Sequence, residues 1–333
     1  VRSFRTTIAE PIALFFLLTA FLPGKRAAAL IPAIAVGGTI AAATAIFDPL
    51  MDRVVTTGIP RFRGMYDSPN NLAFALERTV PLLIGLALTW KSSVLGKVVA
   101  AFAAITSLVL GVTFSRGAWI ASAIPPALLA LKQWGRLITL RRMLALIAIA
   151  IPLGVLVGFV SAEHLSNLLR TDDRSGLSRI WLWDSSTKMV RDFPLFGIGP
   201  DNFLYQYATY LRPEAWREPY ISHPHNFILD AWLSTGVFGM LTIITAILLF
   251  FFSISRSYHS TVDQASSLIL LSAAASMIVA LAHGLVDNFY FRPELASFFW
   301  TLMAFAVLAK NNIGDKGLSS STLSQLGRRA PTQ

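Results

Sequence analysis

Nine apolar runs account for most of this sequence and constrain what it can fold into. A helix that crosses the hydrocarbon core of a bilayer needs about 20 predominantly apolar residues, within a range of about 17–25. The runs lie at 8–22, 27–46, 71–90, 98–114, 117–131, 143–160, 226–254, 264–285 and 294–309. Few charges interrupt them, the main exception being Glu77 and Arg78. We therefore predict an all-α integral membrane protein with about nine transmembrane helices.

The composition agrees with a chain that lies in lipid. Of its residues 54% are hydrophobic and only 14% are charged, whereas soluble domains carry about 25% charged residues. Because the chain has no cysteine, disulfides, thiolate catalysis and cysteine-based metal sites are excluded. The net charge of +10 does not indicate a nucleic-acid face, because the basic residues lie in short clusters between apolar runs, a pattern that sets membrane orientation.

Lysine and arginine mark one side of the predicted membrane. They occur in alternate connections and in the tail, at Lys25, Arg26, Lys91, Lys97, Lys132, Arg136, Arg141, Arg142, Arg256, Lys310 and Lys316. Cytoplasmic loops carry such an excess of positive charge. The other connections are therefore predicted to lie outside, and the strict alternation places Val1 outside as well. We expect residues 1–310 to form one polytopic membrane domain that includes a 161–224 extracytoplasmic loop, and 311–333 to form a disordered cytoplasmic tail.

The loop 161–224 is too long to be a simple connection, and loops of this length are usually functional. Within it, residues 179–190 have apolar side chains at helical spacing. The side chains near one face are Ile180, Trp183, Thr187 and Val190. This pattern predicts an amphipathic helix lying at the membrane interface. A turn rich in glycine and proline follows over 194–203.

Several arginines lie on the predicted outer side, where the positive-inside rule disfavours them. They are Arg61, Arg63, Arg116, Arg179 and Arg292. Arg116 lies in the short connection 115–117, so its guanidinium is expected at the membrane surface, where it suits a phosphate or a carboxylate as a forked donor. The alternative is a helix-end arginine whose side chain reaches toward water.

The other arginines have alternatives of their own. Arg179 alternatively pairs with Asp184 or Asp173 on a surface helix. For Arg61 and Arg63 the alternative is an ordinary loop charge. Asn70 belongs to the turn 67–71, which is expected to cap the helix that follows in any membrane protein.

A polar stretch, His223-Pro-His225-Asn226, stands where the long loop re-enters the membrane. Polar groups at a hydrocarbon boundary are functional candidates, and histidine accepts a proton near neutral pH. His225 is therefore the candidate general base, supported by His223 and Asn226, and a helix cap is its alternative role. No metal site is expected, because no third ligand accompanies the two histidines. Gly236 and Gly239 are expected to let helices approach closely.

Outward arginines beside one histidine indicate chemistry on an anion whose charge the protein itself neutralises. A lipid-linked diphosphate at the outer membrane surface is such an anion. A histidine next to it can take the proton from an attacking hydroxyl, and bidentate arginines can stabilise the departing diphosphate. Spacing alone does not separate this chemistry from transport of an anion.

These motifs, taken in order, resemble the O-antigen ligase and O-antigen polymerase superfamily. His225-Asn226, nine residues and then Gly236-x-x-Gly239 is similar to the histidine and glycine signature of that superfamily. Ser115-Arg116-Gly117 resembles its serine-arginine-glycine segment. The segments that resemble its outer loops are Arg61-x-x-Gly64, Pro69-Asn70-x-x-Ala73, Ser178-Arg179-x-x-Leu182-Trp183 and Pro194-x-x-Gly197-x-Gly199-Pro200-x-Asn202-Phe203.

The resemblance implies a GT-C-type glycosyltransferase in the bacterial inner membrane, with further helices upstream of this chain. It implies transfer of a glycan from undecaprenyl diphosphate to a hydroxyl acceptor on the extracytoplasmic face, without a metal or other cofactor. The acceptor is a glycan, a lipid or a protein, so ligase, polymerase and protein O-oligosaccharyltransferase all stay open. A transporter of an anionic lipid-linked glycan is the alternative from another class.

The resemblance also implies roles for individual residues. His225 is implied to act as the base or to orient the acceptor. The residues implied to bind the diphosphate are Arg116, Arg179 and Arg61. Separately from the resemblance, the candidate supporting residues are Asn226, His223, Arg63 and Asn70.

Overall fold

The computed structural model describes residues 3–47, 54–55, 60–137, 174–215 and 220–312. Within these ranges the regular secondary structure is helical, apart from a two-residue antiparallel ladder between β1 (Val54–Val55) and β2 (Pro60–Arg61). The predicted all-α class is confirmed. The run 143–160 and almost all of the tail 311–333 lie outside the described residues, so the predictions made for them stay predictions.

Ten α-helices occur in the described ranges. In chain order they are α1 (Glu10–Phe21), α2 (Leu30–Phe47), α3 (Pro69–Thr89), α4 (Val94–Val112), α5 (Arg116–Leu137), α6 (Arg174–Asp192), α7 (Phe203–Tyr210), α8 (Phe227–Ser260), α9 (Gln264–Gly284) and α10 (Pro293–Asn312). A π-helical turn, Phe4–Ala9, leads into α1, and a 3-10 turn, Gly24–Ala29, leads into α2.

Seven helical stretches among the described residues are long and apolar enough to cross a membrane. They are Phe4–Phe21, Arg26–Phe47, Pro69–Thr89, Val94–Val112, Phe227–Ser260, Gln264–Gly284 and Pro293–Lys310, and each overlaps one of the predicted runs. The predicted run 117–131 does form part of α5 but is not among the seven. Arg116 and Lys132 border it and Pro125 and Pro126 interrupt it, which lowers its hydropathy.

Helix α3 lies at the centre of the bundle and packs against α2, α4 and α9. It contributes Leu72, Phe74, Leu76 and Leu82, all fully buried, to the main core. Its N-cap is Ser68, whose Oγ accepts from the Asn71 backbone N–H at 3.2 Å. The cap predicted within 67–71 is therefore confirmed.

The described part of the long loop has a small core of its own. Leu182, Met189 and Val190 of α6 pack with Phe203 and Tyr207 of α7 and with Leu233 of α8. Of the residues predicted for the interfacial face of this helix, Val190 is buried, whereas Ile180 is 57% exposed and Thr187 is exposed. The contact of that face with the membrane stays a prediction. The buried face instead includes two serines, Ser185 and Ser186, which a hydrophobic pattern does not reveal.

Helix α8 is broken at Gly236, and the turn from the long loop fills the break. Gly236 has φ 73° and ψ −178°, outside the helical region. The backbone N–H of Val237 donates to Pro194 O at 3.1 Å, and that of Ile198 donates to Leu233 O at 2.7 Å. Groups that lost their helical partners at the break are thus satisfied by the 194–198 turn.

Glycine at position 236 is needed for this arrangement. A Cβ there would lie 1.9 Å from Leu195 O, and the positive φ also disfavours other residues. The expected close approach at Gly236 is therefore real, but the partner is the loop turn instead of another helix. At Gly239, a Cβ would meet the Thr235 side chain of the same helix.

Candidate functional site

The starts of α3, α5, α8 and α10 and the ends of α4 and α9 meet at one end of the bundle. Asn226, which precedes α8, donates through Nδ2 to Leu285 O, just after α9, at 2.9 Å. Arg61, before α3, donates through Nε to Thr113 O, just after α4, at 2.8 Å. The polar residues singled out from the sequence all lie at this end.

His225 is paired with Asp287, in the connection between α9 and α10. Its Nδ1 lies 2.6 Å from Asp287 Oδ1, and the His225 side chain is 30% exposed whereas that of Asp287 is 5% exposed. A carboxylate that accepts from Nδ1–H fixes the imidazole tautomer and leaves Nε2 with its lone pair. This is the arrangement that a histidine base requires.

Asp287 also binds Arg179, so the arginine of the long loop reaches the histidine through a shared carboxylate. Arg179 Nη2 lies 3.7 Å from Asp287 Oδ2. Burial acts to raise the pKa of the Asp287 carboxyl, but His223 and His225 outweigh burial and hold that pKa well below its ordinary value. The carboxylate is therefore ionised over the whole neutral range. The suggested pairing of Arg179 with Asp184 is wrong: Asp184 binds Lys188 and Arg212.

The backbone around His225 is held from both sides. Asn226, the N-cap of α8, accepts through Oδ1 from the backbone N–H groups of Ile228 and Leu229, each at 3.0 Å. The cap is thus Asn226, and His225 precedes it with φ 47°, an uncommon value for a residue with a side chain. Trp183 Nε1 donates to Pro224 O at 3.0 Å and to His225 O at 3.3 Å, which ties α6 to this loop.

Arg61 and Arg116 form a second group. Thr113, which accepts from Arg61, ends α4, and the chain turns through Phe114 at φ 51° before Arg116 begins α5. Arg61 Nη2 also donates to Asn70 Oδ1 at 3.1 Å, which gives Asn70 a positioning contact. Burial and the positive charge of Arg116 both lower the pKa of Arg61. Arg61 is partly buried and Arg116 is exposed. Two guanidinium groups near enough for such an effect suit a phosphate or a carboxylate that both can bind.

The two groups are linked through His283, near the end of α9. The Gly117 backbone, next to Arg116, packs so closely on the His283 ring that a Cβ would lie 2.5 Å from it. The His283 carbonyl accepts from the Asp287 backbone N–H at 3.0 Å. His283 Nδ1 itself lies 2.9 Å from Glu77 Oε2, and both side chains are buried. Glu77, which interrupts an apolar run, therefore supports this end of the bundle.

The remaining outer arginines have structural contacts. Arg292 forms ion pairs with Asp67 and Glu294, and these pairs connect the start of α10 to the loop before α3. Arg63 Nη1 donates to Tyr66 O at 3.5 Å within its own turn. The supporting role that the sequence suggested for Arg63 stays a prediction.

A cavity of about 330 Å³ opens beside the histidines. Ser222, His223 and Asp230 give it a polar end, and its apolar wall includes Phe227, Phe289 and Trp300. His223 lines this cavity, whereas His225, Arg61, Arg116 and Arg179 are not among its lining residues. The structure thus brings Arg179 to His225 and Arg61 to Arg116, and both groups lie outside this apolar space.

Asp287 is the residue of this site that sequence reasoning missed. It lies 62 positions from His225, in the outer connection 286–293, which carries no other carboxylate. A candidate histidine base usually needs a carboxylate or carbonyl to orient it, so the outer acidic residues were the signal that pointed to a partner.

The family model described as O-Antigen ligase matches residues 101–244 of the chain. This segment contains Arg116, Arg179, His225 and Gly236, whereas Arg61 and Asp287 lie outside it. No curated protein matches the chain. The match supports a multi-pass membrane enzyme that processes glycans, of ligase or polymerase type, with lipid-linked glycan and the bilayer as partners. The resemblance to the O-antigen ligase superfamily, first drawn from the motifs, is thereby confirmed.

Proposed function

We propose that this protein transfers a glycan from undecaprenyl diphosphate to a hydroxyl acceptor on the extracytoplasmic face of the bacterial inner membrane. The observation that carries the proposal is the His225–Asp287–Arg179 group. In this group one carboxylate fixes the tautomer of the histidine and also contacts an arginine of the type that binds phosphate. The family match supplies the class of reaction, and the positive-inside pattern supplies the face.

In the proposed reaction the acceptor oxygen attacks the anomeric carbon of the donor glycan. His225 Nε2 takes the hydroxyl proton as the new C–O bond forms, and the charge of Asp287 stabilises the imidazolium. The bond from the anomeric carbon to the diphosphate oxygen breaks, and its electron pair leaves with undecaprenyl diphosphate. A single displacement of this kind inverts the anomeric configuration.

The arginines act on the leaving group. Negative charge grows on the diphosphate as the bond breaks, so guanidinium groups placed beforehand stabilise the transition state more than the ground state. Arg116 and Arg61 supply two guanidinium groups at the same end of the bundle, and such groups suit the phosphates of the leaving group. Arg179 holds one edge of Asp287 and is itself 28% exposed, which leaves it within reach of a ligand. No metal is required in this scheme.

The experiment is turnover by the purified protein in lipid nanodiscs. The donor is an undecaprenyl-diphosphate glycan, and released undecaprenyl diphosphate is measured with lipid, glycan and protein acceptors offered separately. We expect release to fall sharply in His225→Ala and Arg116→Ala. The matched controls are His259→Ala and Arg256→Ala, exposed residues near the opposite end of α8, which are expected to keep activity.

The result separates the open alternatives. The labelled product identifies a ligase, a polymerase or a protein transferase by what it is attached to. Wild-type turnover in both His225→Ala and Arg116→Ala would contradict the proposal. Movement of intact donor across a proteoliposome bilayer, without release of undecaprenyl diphosphate, would instead identify a transporter.

A further inference from the structure

Two histidines before α8 and Asp287, between α9 and α10, form a group that the transfer reaction uses only in part. His225 Nδ1 lies 2.6 Å from Asp287 Oδ1, and His223 Nε2 lies 3.7 Å from the same oxygen. One donor atom from each residue lies within 4.8 Å of the others. The sequence lacked a third ligand for the two histidines, and the fold supplies it from 62 residues away.

His223 is oriented as a ligand would be. Its Nδ1 lies 3.0 Å from Ser222 Oγ, and its ring stacks on Phe291 with centroids 4.4 Å apart. Its Nε2 is buried and has no hydrogen-bond partner among the described residues. A metal ligand needs the tautomer in which Nδ1–H donates to Ser222 Oγ and the Nε2 lone pair faces the group, and metal-binding histidines commonly have their other nitrogen fixed in this way. In that tautomer Nε2 cannot donate to Asp287, 3.7 Å away, and a bound cation between the two would satisfy both.

We propose that His223, His225 and Asp287 bind a divalent transition-metal ion such as zinc, and that the bound ion inhibits the enzyme. The inhibitory role rests on the proposed function, because it acts on the base. A metal at His225 Nδ1 moves the ring proton to Nε2. The nitrogen that would accept the acceptor proton is then occupied, and no net proton is lost from the neutral imidazole.

The donor set suits this class of ion. Zinc bonds to nitrogen and oxygen at about 2.0–2.2 Å, which places tetrahedral ligands roughly 3.4 Å apart. The short His225–Asp287 contact must open slightly and the longer separations must close, both within the reach of side-chain rotation. Imidazole favours zinc, copper and nickel, whereas magnesium and calcium prefer oxygen cages. Asp287 offers Oδ1 to the ion while Oδ2 stays with Arg179.

The test measures zinc binding directly, without donor or acceptor. Chelator-treated protein in nanodiscs is titrated with Zn²⁺ by calorimetry, and with Co²⁺ by its visible absorption, which reports coordination geometry. We expect one ion per chain, no heat with Mg²⁺, and affinity weakened at least about tenfold in His223→Ala. Ser222→Ala keeps all three ligands and is expected to weaken binding less. His259→Ala is the matched control and should bind as the wild type does.

The outcomes test the metal site and its inhibitory role separately. Failure of the wild-type protein to bind zinc, or unchanged binding in a His223→Ala protein with a wild-type thermal midpoint, overturns the site. Donor turnover that zinc leaves unaffected, or that chelation abolishes, overturns the inhibitory role. Zinc binding by a protein that releases no undecaprenyl diphosphate from any donor would leave the site standing and the proposed function refuted.

Discussion

Replacing Asp287 by asparagine tests the pairing of carboxylate and histidine with little change in shape. In the wild-type protein Asp287 Oδ1 lies 2.6 Å from His225 Nδ1, which keeps the ring proton on Nδ1 and leaves Nε2 able to accept another. The amide of asparagine can donate to Nδ1 instead. The ring proton then lies on Nε2 and the base is blocked.

The expected loss follows from the size of general-base catalysis. A positioned base contributes about 10²–10⁴ in rate, or roughly 2.7–5.4 kcal/mol at 1.36 kcal/mol per tenfold. The substitution also removes the charge that faces Arg179 at 3.7 Å. Because that arginine is partly exposed, the lost ion pair adds about 1 kcal/mol or less. We therefore expect kcat/KM to fall by about 10²–10⁴, a larger free-energy cost than the lost ion pair adds to unfolding.

The assay is release of undecaprenyl diphosphate by protein in nanodiscs, over a range of donor concentrations. The matched control is Asp184→Asn, which removes a carboxylate that pairs with Lys188 and Arg212 on the surface of the loop. The control is expected to keep wild-type kcat/KM. If Asp287→Asn is as active as Asp184→Asn, the assignment of Asp287 as the group that orients the base is refuted.

Three further predictions concern the framework and pH. Gly236→Ala places a Cβ 1.9 Å from Leu195 O at φ 73°, so we expect it to cost about 1–3 kcal/mol or more, whereas Gly37→Ala, with nothing within 4 Å, should leave the thermal midpoint unchanged or raised. Trp183→Phe removes the N–H that holds the loop before α8. The activation free-energy cost calculated from kcat/KM should therefore exceed the loss in free energy of unfolding, and equal costs would contradict this. Because the histidines outweigh burial and lower the pKa of the Asp287 carboxyl, its stabilising effect is complete above an unfolded pKa of about 3.9 and is lost as pH falls through the lower folded pKa. The gap in thermal midpoint between wild type and Asp287→Asn should therefore shrink as the pH falls below that value, and a gap that stays constant on acidification would contradict the shift.

The membrane scaffold was predictable from the sequence because hydropathy acts locally. Seven predicted runs correspond to described helices of spanning length, and Arg116 lies between the predicted runs 98–114 and 117–131. Helix α6 was found but its buried face was not. Ser185 and Ser186 are buried because Ser185 Oγ donates to Tyr210 O and Ser186 Oγ to Leu182 O, and hydropathy treats serine as polar.

The candidate site was predictable only in part, because the contact between His225 and Asp287 joins residues that are remote in the sequence. His225 stood out through its place at a hydrocarbon boundary, and Arg116 through its charge on the disfavoured side. The Asp287 carboxylate depends on the end of α9 meeting the start of α8, and no local pattern encodes that contact. The break in α8 was equally hidden: Gly236 has the φ of a turn only because the 194–198 segment supplies the missing hydrogen bonds.

The most direct test of the central claim is a structure of this protein in nanodiscs with an undecaprenyl-diphosphate donor bound. The account predicts diphosphate oxygens at about 2.7–2.9 Å from guanidinium nitrogens of Arg116 and Arg179, with the anomeric carbon facing His225 Nε2 across the space for a hydroxyl. A diphosphate bound at the opposite end of the helices, or bound away from both arginines, would contradict it.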